Sequence, residues 1–126
     1  MAEKINPVNW FEIPAIDLGR ATKFYEGVFD LTLNVQDMGQ VKMAWFPEMI
    51  NDAYGATGSL VKGDCYVPSK DGTLVYFSVP DIEATLGKVA ANGGKTLLPK
   101  MSIGEYGFIA HFEDTEGNKV ALHSMK

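Results

Sequence analysis

The chain has 126 residues, 46% of them hydrophobic and 21% charged, with a formal net charge of −5. That is enough chain for one domain with a real core, and its dispersed acidic balance, with no Lys/Arg cluster, argues against a nucleic-acid partner. No apolar run approaches the about 20 residues of a membrane helix, the N-terminal MAEKINPVNW has no secretory pattern, and the single cysteine, Cys65, allows no internal disulfide and fits a cytoplasmic, reducing setting.

Residues 8–14 (VNWFEIP) alternate as a strand does, with Trp10, Glu12 and Pro14 on one side and Phe11 and Ile13 on the other. Asp17 stands where a helix N-cap belongs, and Leu18, Ala21, Phe24, Tyr25 and Val28 follow at helical spacing. Strands are predicted over 31–35, 41–46 and 57–62, with a polar loop between the last two. Residues 63–72 (GDCYVPSKDG) read as a linker. A strand over 73–79 puts Leu74, Tyr76 and Ser78 on one face, and Asp81 repeats the N-cap before a helix carrying Ile82, Leu86 and Val89. That helix stops near Gly93-Gly94. The last strands fall at 95–99, 107–113 and 119–124, with a hairpin turn over Asp114-Thr115-Glu116-Gly117-Asn118.

The order is βαβββ twice, an α+β arrangement with module one over about 5–62, a linker over about 63–72 and module two over about 73–125. Residues 10–33 set over 74–97 without a gap bring Asp17 onto Asp81, Leu18 onto Ile82, Thr32 onto Thr96 and Leu33 onto Leu97, an offset of 64. Such a repeat predicts a pseudo-symmetric domain with its site where the units join.

Three stretches carry a resemblance: FEIPAIDLGRATKFYEGVF at 11–29, FSVPDIEATLGKVAANGGKTL at 77–97 and FEDTEGNKVALHS at 112–124. The chain resembles the vicinal oxygen chelate superfamily, which holds glyoxalase I, bleomycin-resistance proteins, extradiol dioxygenases and fosfomycin-resistance enzymes. The resemblance implies that each module curls its strands into a half-open cup of mixed sheet, and that two chains pair as a homodimer. For members with metal chemistry it also implies a His, Gln or Glu on the first and last strands of each module, holding a divalent cation. Counted from Asp17, Asp81 and Gly117, the matching positions here are Trp10, Leu74 and Ala121, with Thr57 or Ser59 as the fourth. Such a cation takes imidazole and carboxylate ligands, so no divalent metal is expected. Nothing in the chain calls for nucleotide, flavin or haem.

Three polar residues stand beside these positions. Glu12 lies two beyond Trp10, Tyr76 two beyond Leu74 and His123 two beyond Ala121, so each shares its neighbour's face. They are the candidate catalytic groups, Glu12 as base and His123 or Tyr76 as donor. Together with Trp10, Phe46, Leu74 and Ala121 they are the expected lining of a ligand cavity. The first reading is a small-molecule binder, by analogy with bleomycin-resistance proteins, with aromatic side chains holding a planar or apolar ligand. The second is a metal-independent isomerase or lyase using Glu12 and His123. The third is a metal-dependent lyase or dioxygenase with atypical ligands. The plainer alternative is that Glu12 and His123 satisfy each other or the backbone. Elsewhere, His111 reads as an exposed or interface residue, Cys65 as a bystander, Met43 and Trp45 as core, and Phe46, Pro47, Met49 and Tyr54 as a rim or lid.

Overall fold

Both expected N-caps form. Asp17 Oδ1 accepts from the Arg20 amide at 3.0 Å and Asp81 Oδ1 from the Ala84 amide at 3.1 Å, which fixes where helices α1 (Leu18–Phe29) and α2 (Ile82–Ala91) begin. The computed structural model describes residues 6–47 and 55–126; Met49 and Tyr54 of the expected rim lie outside the described residues.

Each helix belongs to a four-stranded mixed sheet. Module one contributes β1 (Trp10–Pro14), β2 (Asn34–Asp37), β3 (Lys42–Trp45) and β4 (Thr57–Lys62) in the order β1-β4-β3-β2. Module two contributes β5 (Tyr76–Ser78), β6 (Lys95–Ser102), β7 (Phe108–Glu113) and β8 (Lys119–Ser124) in the order β5-β8-β7-β6. In both sheets the first strand pairs parallel with the last and the other pairings are antiparallel. The repeat seen in the sequence is therefore a repeat of topology.

Alternation along the strands sends one set of side chains to the helices. Ile13, Ala44, Leu60, Ala110, Phe112, Val120 and Leu122 join Ala21, Phe24, Tyr25, Val28, Ile82 and Val89 in one continuous core. At the seam between modules the core is aromatic. Phe11 meets Phe77 at 5.6 Å between ring centroids, Phe29 stacks on Phe77 at 4.5 Å, and Tyr25 meets Phe46 at 5.8 Å.

A polar clamp closes the same seam from the β7–β8 turn. Glu116 is buried and accepts from the Ile16 and Asp17 amides at 2.8 Å each, from Arg20 Nε at 2.8 Å and from Arg20 Nη2 at 3.0 Å. Asp114 accepts from the Tyr25 hydroxyl at 2.8 Å, and Asn118 Nδ2 donates to the Pro14 carbonyl at 2.8 Å. Three residues of a turn expected only to close a hairpin, Asp114, Glu116 and Asn118, thus anchor module two to β1 and α1.

Candidate functional site

The strand faces turned away from the helices hold the other set of side chains. On module one these are Trp10, Glu12 and Pro14 of β1, Thr57, Ser59 and Val61 of β4, and Met43 and Trp45 of β3. The register sets Trp10 across from Thr57, Glu12 across from Ser59, and Ser59 across from Trp45. On module two they are Tyr76 and Ser78 of β5, Lys119, Ala121 and His123 of β8, and Ile109 and His111 of β7. Ala121 lies between Tyr76 on one side and His111 on the other. Directly opposed residues project to the same face, so each module presents one outward face, and the two meet at the Glu12 and Pro14 end of β1, where Val75 and Lys119 line a shared cavity.

Most of the sequence-derived candidates stand on these open faces, but they are not joined as expected. The Trp10 indole meets Trp45 edge to face at 6.1 Å. The Glu12 carboxylate neighbours Tyr66 of the linker, whose phenol has its pKa raised by the charge of Glu12, by partial burial and by a hydrogen bond to Glu12. His123 is held elsewhere: its Nε2 lies 2.7 Å from the Tyr106 carbonyl oxygen. A carbonyl only accepts, so Nε2 carries the proton and Nδ1 is the basic nitrogen. Glu12 and His123 therefore have separate partners. Ala121 is fully buried in the sheet, and Leu74 lies before β5, so the residue across from Ala121 is Tyr76.

Three placements correct the sequence reading. Phe46 was expected to line the cavity but belongs to the core, 7% exposed and packed on Phe11, Tyr25 and Phe77. It follows β3 with the parity of Ala44, which faces the helices. Trp45 and Met43, expected in the core, have the opposite parity and face outward. His111 is not a peripheral residue. It pairs across from Ala121, and its ring meets the Tyr76 ring edge on at 6.4 Å. Burial, and then the charge of Lys119, lower its pKa. Tyr66 was not anticipated either; a linker residue has no strand parity by which to place it.

The positions that carry metal ligands in metal-using relatives were tested against these side chains. Trp10 and Ala121 supply no ligand atom, Leu74 none, and the Thr57 hydroxyl donates to the Pro47 carbonyl at 2.9 Å. Among the described residues no three of His, Cys, Asp and Glu come together. The donor set at these positions does not fit a divalent cation. One cavity of about 200 Å³ lies where the face meets the linker, lined by Glu12, Pro14, Val67, Thr73, Val75 and Lys119 among others. It shares only Glu12 with the expected lining. No helix among the described residues is long and apolar enough to cross a membrane.

Comparison with known proteins agrees with this architecture. The family model of the Glyoxalase/Bleomycin resistance protein/Dioxygenase superfamily matches residues 7–122. A glyoxylase-like domain-containing protein from Didymella fabae is 31% identical over 121 residues, which are 91% of this chain and 91% of that one. A glyoxalase/bleomycin resistance protein from Albidiferax ferrireducens T118 superposes with a TM-score of 0.71 at 18% identity, covering 94% of this chain and 99% of that chain. Glyoxalase I from Zea mays superposes with a TM-score of 0.67 at 22% identity, covering 99% of this chain and 48% of that chain. This chain thus spans about half the length of the maize enzyme.

Proposed function

Because the chain belongs to the glyoxalase/bleomycin resistance protein/dioxygenase superfamily, we propose that it is a metal-free member that binds a small, partly aromatic molecule on its open face. The observation that carries this reading is the aromatic surface left uncovered there. Trp10 is 38% exposed and Tyr76 49% exposed, one on the first strand of each module, and Trp45 backs Trp10 edge to face. Large apolar rings standing in water are what a planar ligand would cover, and ligand sites are typically apolar walls with a few placed polar groups. The side chains at the family's metal positions favour function without a divalent cation. We assign no catalytic step, since Glu12 and His123 are engaged separately.

The reading includes a homodimer. Among the described residues the outer strands β2 and β6 leave one edge each unpaired, and Val35 and Met38 at one and Leu97 and Met101 at the other are exposed. A second copy covering such an edge would remove both liabilities. It also includes a cytoplasmic setting, which suits the single exposed thiol, Cys65.

Both tryptophans of the chain, Trp10 and Trp45, stand on the open face, so intrinsic fluorescence reports on the proposed site alone. Titration with small planar aromatics is expected to give a saturable change that Tyr76→Ala weakens. A response that stays linear for every compound, or one that Tyr76→Ala leaves intact, overturns the reading. Elemental analysis of the same protein is expected to show divalent metal well below one per chain; a full equivalent would sink the metal-free assignment.

A further inference from the structure

The cavity of about 200 Å³ where β1, the linker and β8 meet carries charge of both signs. Glu12 enters its wall from module one, Asp71 from the linker and Lys119 from module two, with Pro14, Val67 and Val75 as apolar surface. Among the described residues none of these three charged groups makes an ion pair. The ladder sets Lys119 across from Glu113, but that carboxylate is drawn to Lys70 at 3.4 Å and Lys95 at 3.6 Å. The Lys119 ammonium is thereby left uncompensated; burial, and then its charge, lower the pKa of His111. Glu12 is met by the phenol of Tyr66, a neutral donor. The wall is held in place by backbone bonds. The Ser69 amide donates to Asn118 Oδ1 at 3.1 Å and the Ala121 amide to the Val75 carbonyl at 2.9 Å. The Ser69 hydroxyl accepts from the Asp71 amide at 2.7 Å and donates to the Asp71 carbonyl at 3.1 Å. Charges fixed in this way need little ordering when a ligand arrives.

We infer that this cavity binds a small amino carboxylate, its ammonium group toward Glu12 and Asp71 and its carboxylate toward Lys119. The charge set selects the class. A lone anion drawn to Lys119 enters beside two carboxylates, and a lone cation drawn to Glu12 enters beside an ammonium. A molecule carrying both groups meets an opposite charge at each end. Size agrees with this: sites that enclose drug-sized ligands run to about 300–1,000 Å³, so about 200 Å³ suits a molecule of a few carbons. Pro14, Val67 and Val75 suit the methylene groups between its charges. Trp10, Trp45, Leu74 and Ala121 lie outside the lining, so the site is separate from the aromatic surface and does not rest on it.

The test titrates glycine, β-alanine and γ-aminobutyrate into the isotope-labelled chain, with butyrate and butylammonium as singly charged controls. At least one amino carboxylate is expected to shift the amide signals of Glu12, Ser69, Thr73 and Lys119 saturably, binding at least about 10-fold more tightly than either control. Lys119→Met keeps the apolar stem and is expected to bring that affinity down to near that of butylammonium; Glu12→Gln is expected to bring it down to near that of butyrate. Amide spectra unchanged away from the cavity show that both variants stay folded. A control that binds as tightly as the amino carboxylates, binding that either substitution leaves intact, or no saturable shift from any of the three overturns the inference. None of these results touches the aromatic reading, which is judged by indole fluorescence.

Discussion

Tyr25 carries a hydroxyl into the core with no exposed surface, and one bond makes that tolerable: its Oη donates to Asp114 Oδ2 at 2.8 Å. Burial, with Asp114 beside it, raises its pKa well above the ordinary value, so it stays a donor. Tyr25→Phe keeps the ring but leaves that carboxylate oxygen with Asn118 Nδ2 alone. A loss of about 1–2 kcal/mol is expected in urea unfolding, with ligand binding unchanged; an unchanged midpoint would show that the bond contributes nothing net. Glu116 sets the acid limit. Burial pushes its pKa up, but the bonds from Arg20, Asp17 N, Thr115 and Ile16 N outweigh burial and hold it below its ordinary 4.5. A carboxylate whose pKa is depressed on folding stabilises fully above its unfolded value and loses that contribution as pH falls through the folded value. Unfolding free energy should therefore drop as pH falls from about 5, and less steeply in Glu116→Gln, the two curves converging in acid. Parallel curves would remove Glu116 from that role. The turn chemistry of residues 114–118 was legible in the sequence; that its carboxylates reach the other module was not, because those partners lie about 100 positions away along the chain. His111 differs. A tight turn joining Glu113 to Lys119 places His111 across from Ala121, already expected to face inward, so the signal was present in the register and was missed by reading each strand alone.

At the level of elements, β1 and β4 approach so closely that Gly58 has no room for a side chain. A Cβ there would meet the Phe11 carbonyl oxygen and ring, and the backbone carbonyl cannot turn aside without breaking the ladder. Gly58→Ala is expected to cost about 1–3 kcal/mol by overpacking, and to perturb Trp10 fluorescence because Trp10 and Thr57 pair one residue earlier. A variant as stable as the parent would mean that the strands separate at little cost. The elements themselves were largely readable. Both helices have the expected caps, and β4 and β8 have the expected bounds, because apolar alternation and Asp caps are local signals. The departures come from neighbours. The strand expected over 73–79 is only Tyr76–Ser78, since the first residue of β8 is taken by the linker: the Lys119 amide donates to the Ser69 carbonyl at 3.3 Å and Asn118 Oδ1 accepts from the Ser69 amide at 3.1 Å. β6 runs on to Ser102 through two register shifts, the second of which spans Pro99, which has no N–H to give a ladder. Phe46 was misplaced for a similar reason. Its composition suited a rim, and only the parity carried over from Ala44 puts it in the core.

For the molecule as a whole, the question is whether two copies of one motif behave as two units or one. The core argues for one. Phe77 of module two stacks on Phe29 and meets Phe11 and Phe46 of module one, and the Glu116 clamp ties the last turn to α1. Removing Phe77 opens the seam's centre, with an expected cost of about 3–5 kcal/mol for Phe77→Ala, a large part of a typical domain's stability. The distribution of two residue types makes the coupling directly measurable. Both tryptophans, Trp10 and Trp45, belong to module one, and both histidines, His111 and His123, to module two. Indole fluorescence and imidazole NMR signals therefore follow the two modules separately during one urea titration. If the shared aromatic core and the clamp bind the modules into one cooperative unit, the two midpoints coincide in the parent protein. In Phe77→Ala they should move down together if the clamp alone still couples the halves, and split when Arg20→Ala is added. Separate midpoints in the parent would mean that the seam is a contact between two independently stable halves. The exposed rings of Trp10 on one module and Tyr76 on the other would then shift against each other.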